Sequence, residues 1–190
     1  NTRQNLKIYK IPNPSKIEEN IITAEIIAFS YPDQKEFPPP YPQMNFDMDA
    51  MVCFNDSLFL FSKNRTWPYT GYSKVYRLPT APGTYVAELV DSVYLGPGHM
   101  FDTWVTGAAM SPDRKTLALL THDKIWLYRD FKGSKFFSGE KKTIQLNHYS
   151  QKEGIVFRDE NTLYLSDERT FIFGGNLYLF KLCNIASNSR

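Results

Sequence analysis

Acidic and basic side chains recur near the ends of predicted β-strands. Asp49 and Glu153 each stand at the start of a hydrophobic run, and Lys63 stands at the end of another. Carboxylate oxygens from separate segments are typical ligands of Ca²⁺, which takes about six to eight of them. The sequence therefore predicts a channel or ligand site at shared strand ends, with these candidates: Asp47, Asp49, Lys63, Thr106, Thr121, His122, Glu153, Asp167 and Glu168.

Three interpretations of this set stay open. The polar groups can cap strand ends and bond neighbouring segments, which is the interpretation that we favour. They can instead hold Ca²⁺, with Asp49, Glu153 and Asp167 as metal ligands. In the third, the metal supports hydrolysis of a phosphoester while Lys63 or His122 neutralises the anionic substrate. No residue is assigned a catalytic role.

Other motifs of catalysis are missing from the sequence. The three histidines, His99, His122 and His148, lack the paired spacing of a zinc site. No serine lies in a Gly-x-Ser-x-Gly turn, and no glycine-rich run ends in the Lys-Ser/Thr of a phosphate loop. Cys53 and Cys183 have no spacing typical of a disulfide framework. The sequence therefore favours a protein that is not an enzyme.

A repeated pattern of short strands positions the candidate residues. Each copy has a strand that starts at Asp49, Thr106 or Glu153, then a turn rich in Asn, Asp or Pro, then two more strands. The starts are 57 and 47 residues apart, close to the roughly 40–50 residues of a propeller blade. This spacing predicts an all-β protein that forms a β-propeller of about three blades' worth of four-stranded antiparallel sheets.

The boundaries of the predicted blades leave the ring incomplete. Closed propellers have at least about four blades, so we expect this chain to be part of a larger ring. The predicted units are the end of one blade over 1–33, a proline-rich insertion over 34–48, blades over 49–96 and 106–147, an incomplete blade over 153–182 and a tail over 183–190.

The composition limits the classes of partner. The 190 residues are 42% apolar and 15% aromatic, which is enough to bury a core. A formal charge of +2 does not favour nucleic acid or anionic lipid as a partner. No apolar run approaches the roughly 20 residues of a transmembrane helix.

The order of several phrases resembles a family of bacterial exported β-propeller proteins, found particularly in Bacteroidetes. The phrases are KIYKIPNP (7–14), AEIIAFSYPD (24–33), DMDAM (47–51), SKVYRLP (73–79), VTGAAMSPD (105–113) and KEGIVF (152–157). The resemblance implies that this chain corresponds to the C-terminal half of such a protein. The chain departs from the family pattern at Asp49, where the family has Glu, and at Arg114, where the family has Gly.

These observations predict a non-enzymatic, exported module that binds protein or supports assembly at the bacterial cell envelope. Protein partners would include the N-terminal blades of the same propeller. The expected location is the periplasm, the cell surface or the medium. The alternative is a calcium-dependent hydrolase of the phosphoesterase type that uses the carboxylates of the channel.

Overall fold

The described chain is almost entirely β-structure. A computed structural model describes residues 1–169 and 172–182. One short helix, α1 (Met100–Thr103), interrupts the strands. The strands are β1 (Leu6–Lys10), β2 (Glu25–Ser30), β3 (Asp47–Phe54), β4 (Ser57–Lys63), β5 (Tyr72–Pro79), β6 (Gly83–Val86), β7 (Glu88–Tyr94), β8 (Gly107–Met110), β9 (Thr116–Leu120), β10 (Lys124–Arg129), β11 (Glu140–Gln145), β12 (Lys152–Asp159), β13 (Thr162–Asp167) and β14 (Leu177–Lys181).

The strands form four sheets. The first has the order β1-β2-β6, the second β3-β4-β5-β7, the third β8-β9-β10-β11 and the fourth β12-β13-β14. Every pairing is antiparallel except that of β2 with β6, which is parallel. Short turns join most neighbouring strands, as their sequences predict.

Two of these turns show why the chain reverses where it does. Asn55 and Asp56 join β3 to β4 and both have positive φ, 47° and 56°, which is the geometry of a two-residue hairpin turn. In the turn from β8 to β9, Arg114 has φ 63°, a conformation that glycine adopts more easily. The Arg114 guanidinium donates to Asn55 Oδ1 at 2.6 Å and lies over the Phe54 ring. These contacts tie the two turns together.

Hydrophobic side chains join the sheets in series. One cluster, which includes Ile27 and Tyr76, lies between the first and second sheets. A second, which includes Phe61 and Leu119, joins the second to the third, and a third cluster, which includes Leu120, joins the third to the fourth. Each of the two middle sheets thus packs against a neighbouring sheet on both faces, and all five residues of β9 are buried.

The predicted β-propeller is wrong. The described residues form four separate sheets of three or four strands, and these sheets do not close into a ring. The first sheet also departs from a blade, because its third member, β6, pairs in parallel with β2. Residues 85–95 lie within the predicted blade over 49–96, which would be a single sheet. That segment instead divides at Ala87 into β6 and β7, which belong to different sheets.

The proline-rich insertion over 34–48 links the first sheet to the second. It contains the cis peptide Phe37-Pro38 and a single 3-10 turn at Tyr41–Gln43. Trp67 N donates to Tyr41 O at 3.0 Å, which attaches this segment to the loop after β4. The predicted tail over 183–190, with Cys183, lies outside the described residues. Among the described helices, none has the length and apolarity needed to cross a membrane.

Candidate functional site

Two β-bulges position the central carboxylates of the site. In β3, Met48 pairs with Ser62 and Ala50 pairs with Phe61, so Asp49 is an extra residue without a partner. In β12, Lys152 pairs with Asp167 and Gly154 pairs with Ser166, so Glu153 is likewise extra. A bulge bends its strand and redirects the side chain of the extra residue. Asp49 and Glu153 are thus presented in the same way on two different sheets.

Lys63 connects the two bulges. It ends β4, and its ammonium forms an ion pair with Asp49 and lies 3.9 Å from Glu153. Lys63 is only 7% exposed, so its charge has lost most of its water and depends on these carboxylates. Since Asp49 and Lys63 lie in the same sheet, the contact with Glu153 is the one that links the second sheet to the fourth. The ammonium also lies 5.5 Å from the centre of the Trp104 ring.

Burial raises the pKa of Glu153 above its ordinary value. The nearby charge of Lys63 opposes this shift, whereas the negative charges of Asp49 and Glu168 add to it. A carboxyl that is partly desolvated among like charges binds its proton more tightly. Ionisation of Glu153 is therefore less favourable than that of a fully solvated glutamate.

Asp167 is held by hydrogen bonds at the end of β13. Burial alone would raise its pKa, but bonds from the Asn176 backbone, the Tyr178 hydroxyl and other donors outweigh burial and lower that pKa to about 2. One oxygen accepts from Asn176 N at 2.7 Å, and the other accepts from Tyr178 Oη at 2.7 Å. Asp167 therefore fixes the start of β14 against β13.

Five of the nine predicted site residues line one shallow, open cavity of about 570 Å³, which we call the acidic depression. They are Asp49, Lys63, Glu153, Asp167 and Glu168, and Gln151 and Ser166 complete the lining. Gln151 Nε2 donates to Glu168 Oε2 at 2.5 Å. Within residues 1–169 and 172–182, no group of three or more His, Cys, Asp or Glu side chains is arranged to hold a metal ion.

The other four predicted residues have separate roles. Asp47 accepts from Arg65 Nε at 2.5 Å, and Thr106 Oγ1 donates to the Lys152 carbonyl at 2.5 Å. Thr121 N donates to Lys124 O at 2.9 Å and closes the turn from β9 to β10. These three residues cap or connect strand ends.

His122 is buried beside the site, with 6% of its surface exposed. Its Nδ1 lies 3.3 Å from Tyr149 Oη, and its Nε2 is buried with no hydrogen-bond partner among the described residues. Burial lowers the pKa of His122, and the positive charges of Lys63 and Lys152 lower it further, while Asp123 opposes the shift. Protonation of this ring is therefore unfavourable in the folded chain.

Sequence reasoning missed the role of Lys152. This side chain is 2% exposed, and its ammonium donates to the carbonyls of His122 and His148, at 3.2 and 2.6 Å, and to Ser150 Oγ at 2.9 Å. Burial lowers the pKa of Lys152, and the charge of Asp167 opposes that shift. A lysine at the start of a strand is usually exposed, so the sequence held no signal for this contact.

Comparisons with known proteins identify no family. No family model matches the chain, and no curated protein matches it. One similar solved structure is described as the "Calcium structure of Trichoderma reesei Carbohydrate-Active Enzymes Family AA12". It is 13% identical, with a TM-score of 0.45, and the match covers 75% of this chain and 37% of that one. At this level the similarity carries no inference about the site.

Proposed function

We propose that this chain is a non-enzymatic module that binds protein through the outer face of its fourth sheet. The observation that carries the proposal is the exposure of aliphatic side chains on that face. Leu177 is 71% exposed, Val156 is 55% exposed and Leu179 is 52% exposed. An exposed cluster of this kind on a folded chain is typical of an interaction site.

The pairing of the fourth sheet places these side chains side by side. Val156 pairs with Tyr164, and Tyr164 pairs with Leu179, so the three form a row across all three strands. Leu177 lies in the next row, opposite Ser166. We call these four apolar side chains, Val156, Tyr164, Leu177 and Leu179, the outer apolar face.

The inner face of the same sheet is also apolar, but it is buried. Phe157, Leu163 and Leu165 alternate with the residues of the outer apolar face and are buried against the third sheet. The fourth sheet therefore carries apolar side chains on both sides, with Thr162, Ser166 and Lys181 also on the outer side. Antiparallel sheets with one free face usually carry mainly polar residues on it. Removing apolar area from water is favourable, which supports a partner surface of aliphatic or aromatic side chains.

The edge of the sheet supports the same proposal. Within the described part of the chain, β14 pairs with β13 alone, so one edge of β14 has no partner strand. An unpaired edge presents backbone donors and acceptors to an incoming strand. The location of this binding, at the bacterial cell envelope, stays a prediction.

The calcium-dependent hydrolase has no specific observation in its favour. The ammonium of Lys63 contacts Asp49 where a cation would bind, and the oxygens of Asp167 already accept hydrogen bonds. We therefore propose no second function.

The proposal is tested by crosslinking through the outer apolar face. A photoreactive amino acid is placed at position 179, and the chain is exposed to envelope proteins of its source organism. The matched control places the same group at Lys115, an exposed residue in the turn from β8 to β9. We expect one protein to crosslink through position 179 and none through position 115.

The captured protein is then purified and titrated with the unmodified chain. Binding should weaken at least about tenfold for Leu179→Lys, because a charge would be buried in the interface. Equal crosslinking at both positions, or equal affinity of the variant, would contradict the proposal.

A further inference from the structure

We propose that a partner protein adds one extended strand beside β1 and so completes the first sheet. This inference rests on the proposed protein-binding function, but it concerns the opposite end of the series of sheets. It names both the mode of binding, β-strand addition, and the chemistry of the segment that binds.

The first sheet is one strand narrower than the sheet on which it packs. It has three strands, and the second sheet has four. The two sheets are joined at one side, where β6 continues through Ala87 into β7. The missing strand is therefore on the other side, next to β1. Among the described strands, only β2 pairs with β1, so the backbone groups along the other edge of β1 have no strand partner.

The exposed face of β3 marks the place that the added strand would cover. Ala50, Val52 and Phe54 alternate along β3 and are buried against the third sheet. The intervening Met51 is 44% exposed, and Cys53 is also exposed. In the second sheet β4 is almost wholly buried and half of β5 is buried. The other edge strand, β7, is largely exposed, and Met51 and Cys53 are exposed at the β3 edge, where the first sheet lacks a strand.

A groove of about 860 Å³ runs between the two strands, and we call it the β1 groove. Residues 6–9 of β1 form one side of it, and residues 47–51 of β3 form the other. Its apolar lining includes Leu6, Ile8, Phe29 and Met48. Adjacent strands lie about 4.8 Å apart, so a strand paired to β1 would run along this groove with every second side chain on the apolar lining.

The charges around the groove define the incoming segment. Asp47 and Asp49 line it, but they already form ion pairs with Arg65 and Lys63. Arg3 and Lys7 also line it, and neither forms an ion pair with another described residue. An acidic residue beside the apolar positions would pair with these two cations. The expected ligand is thus an extended segment that alternates apolar and polar residues and carries Asp or Glu near one end.

The test selects ligands from a displayed library of random peptides of about ten residues, long enough to pair with all of β1. The target is the full chain. Bound peptides should show the alternation and the acidic residue described above. Met51→Glu should weaken their binding at least about tenfold, because it replaces an apolar side chain on the part of β3 that the strand would cover with a carboxylate that the strand would desolvate. The matched control is Val86→Glu, which alters an exposed side chain outside the groove and should leave binding unchanged.

A second readout locates the peptide without altering the charge of the groove. Met51→Cys introduces a thiol in a background that carries Cys53→Ser and Cys183→Ser, and its rate of alkylation is measured with and without saturating peptide. We expect at least about tenfold slower alkylation, since a ligand at ten times its Kd occupies about nine tenths of the sites. A thiol introduced by Val86→Cys should react at an unchanged rate.

The outcomes separate this inference from the proposed function. Peptides that bind Met51→Glu normally and lose affinity for Leu179→Lys would overturn strand addition at β1 and support the outer apolar face. Failure to select any peptide, or unchanged alkylation at position 51, would overturn the inference. A wild-type chain that dimerises through β1, detected by light scattering and abolished by Met51→Glu, would also overturn it, because the strand would then come from a second copy.

Discussion

At the scale of single residues, Lys63 carries a charge that two neighbouring carboxylates compensate. Its ammonium is nearly buried, while Asp49 and Glu153 beside it keep 28% and 31% of their side-chain surface exposed. Removing one partner of a buried pair leaves the others desolvated without compensation. Solvent reaches the two carboxylates, so the cost is smaller than for a fully buried pair.

We expect Lys63→Met to lower the free energy of unfolding by about 1–3 kcal/mol. Urea denaturation measures this change. The matched control is Lys10→Met, which removes an exposed pair with Glu25 and should cost less than about 1 kcal/mol. Equal effects of the two substitutions would show that Lys63 does not hold the sheets together.

His122 should make stability depend on pH. Its pKa in the folded chain lies below the ordinary value of 6.5, so the unfolded chain binds the proton more readily. The free energy of unfolding should therefore fall as the pH drops through about 6.5. We expect His122→Phe to remove this part of the slope between about pH 7 and pH 5, as measured by urea denaturation across that range.

His99 provides the control for this experiment because it is exposed. The His99→Gln variant should keep the slope of the parent. If the slope instead survives in His122→Phe and disappears in His99→Gln, the assignment to the buried ring is wrong.

At the scale of the elements, one glycine fixes the loop after β4 against the outer edge of the second sheet. Gly71 has φ 73°, and a Cβ built on it would lie 2.3 Å from the Gly96 carbonyl oxygen. The clash is with backbone, which cannot move away without disturbing the bond from Leu95 N to Gly71 O. Gly71→Ala should therefore destabilise the chain by at least about 2 kcal/mol.

Gly98→Ala is the matched control, since its Cβ would approach no atom closer than 3.9 Å. Thermal unfolding of the two variants gives the comparison. A Tm for Gly71→Ala equal to that of Gly98→Ala would contradict the proposed backbone constraint.

The elements also show what the sequence could predict. The predicted strand that starts at Asp49 lies within β3, and the predicted turn after it reverses the chain at Asn55 and Asp56. These features depend on local chemistry, because alternation and turn residues act over a few positions. The division at Ala87 does not, because it depends on which sheet each half of the segment meets.

At the site, the sequence placed carboxylates near strand ends but could not find the bulges. Nothing in the residues around Asp49 or Glu153 marks an extra position, since a bulge is visible only against the paired strand. The burial of Lys152 was hidden for the same reason. It follows from three oxygen acceptors that come from residues 122, 148 and 150.

For the whole molecule, calcium should not act as a structural ligand. The ammonium of Lys63 already pairs with Asp49 and lies 3.9 Å from Glu153, and a cation would have to displace it. We expect the Tm in about 1 mM calcium to equal the Tm in a chelator. That calcium concentration is high enough to occupy a weak extracellular site. A rise that Asp49→Asn with Glu153→Gln abolishes would instead support the predicted metal site.

The repeat pattern in the sequence could not predict how the sheets pack on one another. Spacings of 57 and 47 residues between strand starts describe the units along the chain, but they do not specify how one unit packs on the next. The packing is decided by side chains such as Phe61 and Leu119, which meet across sheets although they are far apart in sequence. The predicted propeller was wrong because similarity between the repeated units does not determine that their sheets close into a ring.

Because Asp49 and Glu153 are the extra residues of two bulges, deleting them would take two of the four carboxylates from the acidic depression and leave Asp167 and Glu168. Without Asp49, Met48 and Ala50 would follow each other opposite Ser62 and Phe61, which are themselves consecutive. If Glu153 were deleted, Lys152 and Gly154 would become consecutive opposite Asp167 and Ser166, which are also consecutive. Each single-residue deletion would leave every later pairing and every inward-facing side chain in place. The loss of one codon in each strand would thus change this surface without changing the strand register, but losing both codons would leave the buried ammonium of Lys63 without its carboxylate partners.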